Sequence, residues 1–139
     1  MMKILVGVDG SDESRQAAHF AARIAQATGS GLELAYVLPV VVDTGPEAVD
    51  LAVWQQHLTE KAQIVLYEMS QGVPRPNTPV ETSLLEGRPA EGLAKEARRD
   101  DIRMVVVGHR GRGAAARVLL GSVADRLVQI CPKPVLVVR

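Results

Sequence analysis

The amino-acid sequence predicts an α/β protein with one open, five-stranded parallel sheet and helices on both faces. Short apolar runs rich in branched residues alternate along the chain with segments whose apolar residues recur at helical spacing. The apolar runs lack a polar face, which is typical of central parallel strands that helices cover on both sides. With 139 residues and 47% hydrophobic residues, the chain suits one domain, and we expect residues 1–139 to form it.

The first half of the chain is predicted to supply two strands and two helices. Lys3–Asp9 is the first strand, and Ser11 or Asp12 can cap the helix that follows it. Leu32–Val40 is the second strand. Apolar residues on a helical period over about Gly45 to Ser70 then indicate a long amphipathic helix.

The second half is predicted to supply three strands and two helices. Gln71–Pro79 contains three prolines, so this connector is neither helix nor central strand. The third strand is predicted over Val80–Gly87, and Pro89 suits the first turn of the next helix. The remaining elements are a strand, a helix and a final strand, predicted over residues 103–108, 122–131 and 134–139.

Composition and charge argue against several classes of function. Aromatic residues make up 3% of the chain, which disfavours a stacking platform for single-stranded nucleic acid. The formal net charge is zero, which disfavours a broad surface for polyanions. Cys131 is the only cysteine, and no apolar run approaches the roughly 20 residues that span a bilayer. Because the N-terminus also lacks a signal-peptide pattern, we expect a cytoplasmic protein with neither a membrane span nor a nucleic-acid partner.

Two loops at the carboxyl edge of the predicted sheet carry the candidate site, because ligands of open α/β sheets bind where the strand order reverses. One loop, Asp9-Gly10-Ser11, follows the first strand, and the other follows the fourth strand from Gly108 to Gly121. If the first and fourth strands are neighbours, these two loops face each other.

The second loop has the spacing Gly108-x2-Gly111-x9-Gly121-Ser122, and each part has a physical use. Gly108 ends the strand without a side chain, so a ligand ring or a ribose can approach the backbone there. Gly111 and Gly113 permit positive φ and expose backbone N–H groups. Gly121-Ser122 begins a helix whose free N–H groups and positive dipole end favour a phosphate.

Charge and spacing together predict a nucleoside polyphosphate as the ligand. Positive charge near the loop comes from Arg110, Arg112 and Arg117. Two commoner phosphate motifs are excluded, since a P-loop needs a lysine before Ser122 and the dinucleotide fingerprint needs a glycine where Ala116 stands.

Three segments, together with this glycine spacing, resemble the ATP-binding branch of the universal stress protein family: ILVGVDGSDES, EGRPAEGL and GSVADRLVQICPKPVLVV. The resemblance runs essentially from end to end. It implies a Rossmann-like fold of the adenine nucleotide alpha hydrolase type, a stress-response role and an ATP ligand, with Mg²⁺ left open as its companion. The chain departs from the family pattern at Arg103, where an acidic residue is frequent, and at Leu38-Pro39, where a histidine is frequent.

The resemblance also implies roles for the matching residues. Asp9 is expected to hold the ribose hydroxyls, and the backbone of Val37 is expected to meet the adenine. The other residues expected on the sugar and base side are Gly7, Val8, Val107 and Gly108. The residues expected at the phosphates are Gly111, Gly121, Ser122, Val123 and Ala124, with Arg110 and Arg112 as helpers.

Several of these residues also have purely structural interpretations. Asp9 can cap the first helix, the glycines of the second loop can serve a turn, and Ser122 can be an ordinary N-cap. Arg117 is interpreted as a solvated or salt-bridged side chain and His109 as a surface side chain. Cys131 is expected to be inert and partly buried.

Three functions remain open: a nucleotide-dependent regulatory module, a slow ATPase, and a dimeric chaperone-like stress protein without a working site. We favour the first, because no Gln or Glu lies between Gly108 and Ser122 to position an attacking water. The last apolar strand predicts an exposed sheet edge, and pairing with a second copy through Val135–Val138 predicts a homodimer. A regulatory protein partner is also expected, of unknown identity.

Overall fold

A computed structural model describes residues 1–40, 48–74, 77–111 and 119–139 of the chain. The strands in this part are β1 (Lys3–Gly7), β2 (Gly31–Leu38), β3 (Val80–Glu86), β4 (Ile102–Gly108) and β5 (Val135–Val138). The helices are α1 (Asp12–Thr28), α2 (Ala48–Gly72), α3 (Pro89–Glu96) and α4 (Ser122–Ile130). Strands and helices therefore alternate along the chain, as predicted.

The strands form one parallel sheet in the order β3-β2-β1-β4-β5. The central strand β1 pairs with β2 on one side and with β4 on the other. The chain first extends the sheet from β1 towards β3 and then restarts beside β1, so the strand order reverses between β1 and β4. This arrangement confirms the predicted fold class and makes the first and fourth strands neighbours.

Helices cover the two faces of the sheet as two separate apolar layers. One face packs against α1 and α2, through residues such as Ala18, Ala21 and Leu66. The other face packs against α3 and α4, through Leu93 and Leu127. The three inner residues of β1 are fully buried between these layers, which explains why that strand has no polar face.

Local signals define both ends of α1. Ser11 is the N-cap, and its Oγ accepts a hydrogen bond from the N–H of Ser14 at 3.1 Å. This contact identifies which of the two predicted caps is used. At the other end, Gly29 has a φ of 64°, and its N–H bonds to the carbonyl of Ala25, which stops the helix.

Several boundaries differ from the predictions. Helix α2 continues through Gly72, because the prolines of the connector begin only after that residue. Its predicted start at Gly45 lies outside the described residues. Strand β2 ends at Leu38, just before the proline that cannot continue the ladder. Gly121 is the N-cap of α4, so Ser122 is the first helical residue rather than the cap.

Over the described residues, no helix combines the length and apolar character needed to cross a membrane.

Candidate functional site

The carboxyl edge of the sheet holds a cavity of about 250 Å³ at the point where the strand order reverses. The ends of β1, β2 and β4 border it, and the first turns of α3 and α4 contribute to its walls. Ten of the predicted site residues line this cavity: Gly7, Val8, Asp9, Val37, Val107, Gly108, Arg110, Gly111, Val123 and Ala124. The structure thus brings the loops after β1 and β4 together around one cavity.

Two other predicted residues, Gly121 and Ser122, lie at the base of the loop after β4 and do not line the cavity. The N–H of Gly121 donates to the carbonyl of His109 at 2.6 Å, and the N–H of His109 donates to the carbonyl of Val138 at 2.8 Å. These bonds join the end of β4 to the end of β5 and to the start of α4. Arg112 lies outside the described residues.

The first turn of α4 presents backbone N–H groups beside the cavity. Its N-cap, Gly121, has no side chain, and no side chain from the described part of the chain caps this helix. The N–H of Asp125 bonds to the carbonyl of Gly121 at 2.9 Å, so the N–H groups that precede it have no acceptor within the helix. Val123 and Ala124 carry two of these groups and line the cavity. The helix dipole adds to them, and this wall of the cavity favours an anion.

The structure shows packing roles for two glycines of the loop after β4. A Cβ on Gly108 would lie 3.0 Å from the carbonyl carbon and oxygen of Glu13, so this glycine allows β4 to pack on α1, and it also lines the cavity. Gly111 does not have positive φ. A Cβ there would lie 2.7 Å from Oδ2 of Asp9, so this glycine makes room for the carboxylate. Gly113 lies outside the described residues.

Asp9 faces the loop after β4 and is not the cap of α1. Its Oδ1 accepts a hydrogen bond from the N–H of Ser11 at 2.9 Å, and Ser11 itself caps the helix. The backbone N–H of Asp9 donates to Oγ of Ser14 at 3.4 Å. One carboxylate oxygen is thus held by the turn, while the other packs over Gly111. The carboxylate has a defined orientation at the junction of the two loops.

Sequence reasoning missed five residues that line the cavity: Ser14, Ala35, Tyr36, Pro89 and Leu93. Ser14 is 4% exposed, and its Oγ donates to the carbonyl of Ser11 at 2.9 Å. The other four belong to β2 and α3 and, with Val37, make an apolar wall. A cavity that is mostly apolar with a few placed polar groups is typical of small-molecule sites. Their membership of an apolar strand and of the following helix was predictable, whereas their place beside one cavity depends on the sheet order.

Arg110 is the positively charged side chain among the described residues that line the cavity. Its Nη2 lies 3.9 Å from Oε1 of Glu13, and its Nε donates to Nε2 of His109 at 3.0 Å. His109 is half-buried. Cys131 follows α4 and is also half-buried, as expected. Arg117 lies outside the described residues.

The two helices that contribute to the cavity walls are also tied to each other. Nε of Arg126 on α4 donates to Oε1 of Glu91 on α3 at 3.2 Å. The pKa of the Glu91 carboxyl lies below its usual value, first because of a backbone hydrogen bond and second because of Arg126. Within the described residues, no three His, Cys, Asp or Glu side chains gather as metal ligands.

The sequence matches known proteins along its whole length. The profile of the Universal stress protein family covers residues 1–139. A universal stress protein of Thermus aquaticus is 36% identical over 138 residues, which cover 98% of this chain and 97% of that protein. Another, from Methanocaldococcus jannaschii, is 32% identical over 138 residues, which cover 99% of this chain and 81% of that protein.

Solved structures share the fold. The universal stress protein UspA of Lactobacillus plantarum matches with a TM-score of 0.89 and 26% identity, covering 99% of this chain and 97% of that one. A universal stress protein in complex with cAMP matches with a TM-score of 0.75 and 26% identity, again covering 99% and 97% of the two chains. A family match over the full length, on a fold that these structures share, shows that the chain belongs to the universal stress protein family.

Proposed function

We propose that this universal stress protein is a cytoplasmic, ATP-dependent regulatory module whose nucleotide occupies the cavity at the carboxyl edge of the sheet. The observation that carries the proposal is that an apolar wall and an uncapped helix end border the same cavity. A base and a sugar suit the apolar part, and a phosphate chain suits the helix N-terminus. A related protein, 26% identical, was solved with cAMP, which supports an adenine nucleotide.

In the proposed complex, the nucleotide runs from the end of β2 to the start of α4. The adenine packs between apolar side chains such as Leu93 and meets the backbone of Val37. The ribose hydroxyls bind Asp9, whose carboxylate is already oriented by the N–H of Ser11 at 2.9 Å. The phosphates, accompanied by Mg²⁺, bind the first N–H groups of α4 and the backbone of Gly111.

Charge favours a triphosphate over a shorter phosphate chain. The stretch from β4 to α4 carries three arginines, Arg110, Arg112 and Arg117, and no acidic residue. Arg110 lines the cavity. Three positive charges in one short segment of the sequence would balance the charge of ATP better than that of a monophosphate.

Regulation is favoured over rapid hydrolysis because the described residues that line the cavity leave no carboxylate at its phosphate end to act as a base. Among the described residues that line it, Asp9 carries the only carboxylate. One of its oxygens accepts from Ser11 and the other lies over Gly111, at the ribose end of the proposed complex. Glu13 lies beside Arg110 but does not line the cavity, so the described lining residues offer no second carboxylate to position water at a terminal phosphate.

The experiment is to measure nucleotide in the purified protein and the binding of added Mg-ATP. We expect protein purified without added nucleotide to release ATP, ADP or AMP on denaturation, and ATP to raise the melting temperature. Asp9→Ala should weaken ATP binding by roughly 10-fold to 100-fold, the effect of losing hydrogen bonds to a charged group. Asp100→Ala, an exposed aspartate at the opposite edge of the sheet, is the matched control.

Two outcomes would change this conclusion. Nucleotide-free protein whose melting temperature does not respond to Mg-ATP would overturn nucleotide binding altogether. Phosphate release that persists through stringent purification and disappears in Asp9→Ala would favour the slow ATPase.

We also propose that the module is a homodimer paired through β5. The N–H groups of Val105 and His109 donate to the carbonyls of Pro134 and Val138, so alternate residues of β5 face β4. By this alternation, Val135 and Val137 direct their N–H and C=O groups away from the sheet. Two copies related by a two-fold axis can pair these groups in an antiparallel ladder.

Light scattering at micromolar concentration tests the dimer. Wild-type protein should have the mass of two chains, and Val137→Pro should give monomers, because proline removes an outward N–H without touching the bonds to β4. Wild-type protein with the mass of one chain contradicts the proposal.

The proposed function also includes a regulatory protein partner that binds according to the nucleotide state of this module.

A further inference from the structure

The backbone of His109 is fixed at the point where β4, β5 and α4 meet. Its N–H donates to the carbonyl of Val138 at 2.8 Å, and its carbonyl accepts from the N–H of Gly121 at 2.6 Å. The imidazole therefore extends from a backbone held on both sides, next to the start of the helix that borders the cavity.

The imidazole of His109 holds the guanidinium of Arg110. Nε of Arg110 donates to Nε2 of His109 at 3.0 Å, while Nη2 of the same guanidinium lies 3.9 Å from Oε1 of Glu13. The Arg110 side chain is 28% exposed and lines the cavity. Contacts with the residue after β4 and with the first turn of α1 thus help to fix where this positive charge lies.

The hydrogen bond determines the state of the His109 ring. Arginine Nε always carries a hydrogen, so Nε2 of His109 must be unprotonated to accept it. A ring that accepts this bond carries a proton on Nδ1. That atom is buried and has no hydrogen-bond partner within the described residues. Burying an unpaired donor opposes folding, so the contact with Arg110 calls for a compensating role.

We infer that His109 is a positioning residue that directs the guanidinium of Arg110 at the phosphates of the bound nucleotide. The inference rests on the proposed function, since it requires a phosphate ligand in the cavity. It goes beyond that function by assigning to the side chain of His109 a selectivity for phosphorylated ligands over the bare nucleoside. His109 acts through Arg110 and does not itself touch the nucleotide.

The first test compares ATP and adenosine by isothermal titration. His109→Phe keeps a ring but removes the acceptor, and we expect it to weaken ATP binding about tenfold and to leave adenosine binding unchanged. His109→Gln restores an acceptor for Nε and should recover most of the affinity for ATP. In an Arg110→Gln background, His109→Phe should have no further effect, because the group that it positions is gone.

Three results of this test overturn the inference. They are ATP binding unchanged in His109→Phe, equal losses for ATP and adenosine, and a full additional loss in the Arg110→Gln background. Wild-type protein that binds neither ligand overturns the proposed function, and the inference with it.

The second test needs no nucleotide, so it distinguishes a failure of the His109–Arg110 contact from a failure of nucleotide binding. Long-range ¹H–¹⁵N spectra of the wild-type protein at neutral pH should show the His109 ring protonated at Nδ1 and unprotonated at Nε2. Arg110→Gln should release this preference. A wild-type ring protonated at Nε2 excludes the His109–Arg110 contact, whatever the protein binds.

Discussion

Replacing Gly108 by alanine should destabilise the fold, because this position packs directly on α1. The added Cβ would lie 3.0 Å from the carbonyl carbon and oxygen of Glu13 and 3.1 Å from its Cβ. Carbon contacts without strain lie at about 3.5–4.0 Å, so β4 and α1 must separate by roughly half an ångström. Two of the three contacts are with backbone in the first turn of a capped helix, which cannot rotate aside. Overpacking of this kind costs about 1–3 kcal/mol.

Thermal unfolding measures this effect. A chain of 139 residues has an unfolding entropy of about 0.3 kcal/mol/K, so the melting temperature of Gly108→Ala should fall by about 3–10 °C. Gly72→Ala is the matched control, since a Cβ at the end of α2 meets no atom within 4 Å and alanine favours helix. Its melting temperature should equal or exceed that of the wild type. If Gly108→Ala melts at the wild-type temperature, the packing explanation of this glycine is wrong.

Three further predictions concern the site, the charges and a cap. Gly111→Ala should keep the wild-type melting temperature, because the added Cβ displaces the Asp9 carboxylate and not backbone. The same displacement should weaken ATP binding about tenfold, measured by titration calorimetry. Unchanged affinity would count against the proposal that Asp9 binds the ribose. Hydrogen bonds from Arg99 hold the pKa of the Asp101 carboxyl below its usual value. The ionised carboxylate therefore stabilises the folded protein fully above about pH 4, and this stabilisation is lost as the pH falls through the lowered pKa. Asp101→Asn should therefore lower the free energy of unfolding at neutral pH and reduce the fall of that free energy in acid. Urea titrations across this pH range measure both effects. A parallel fall of the free energy of unfolding in the variant and the wild type would refute the reasoning. Ser11→Ala should lower the free energy of unfolding by about 1 kcal/mol in the same urea assay, because it removes the N-cap of α1. An unchanged free energy of unfolding would mean that Ser11 does not stabilise α1.

The order of the elements was predictable because their signals are local. The apolar run at β1 and the cap and stop of α1 at Ser11 and Gly29 need no distant partner to be recognised. The same holds for the two ends of the loop after β4, whose glycine spacing is visible in the sequence. From the sequence, the two loops were expected to face each other only if the first and fourth strands were neighbours. The pairing of β1 with β4 shows that they are neighbours.

The reasons for individual glycines were not predictable because they depend on contacts between distant segments. A glycine at the end of β4 has the same appearance in the sequence whether a ligand or a helix occupies the space beside it. The packing of Glu13 against Gly108, and of Asp9 against Gly111, becomes visible only in the structure. The same limit explains why Ser14 was missed, since its position beside the cavity follows from the way α1 leaves the sheet.

The two edges of the sheet satisfy their polar groups in different ways. At the amino edge, the buried carboxylate of Glu33 accepts from Nη1 of Arg99 at 3.0 Å and from Oγ of Ser83 at 3.3 Å. Nζ of Lys133 there donates to two backbone carbonyls, those of Arg99 and Ile102, at 3.0 and 2.7 Å. Protein groups thus satisfy one another at this edge, as a purely structural region requires.

At the carboxyl edge, by contrast, some polar groups have no protein partner among the described residues. The first N–H groups of α4 have no side-chain cap among the described residues, and Nδ1 of His109 is buried without a partner there. Local rules of hydrogen bonding are broken mainly where function requires it. A phosphate bound at α4 would satisfy the helix end, and the unpaired Nδ1 is the cost of directing Arg110 towards it. The contrast between the edges supports the proposed position of the ligand, and this support does not depend on the glycine spacing.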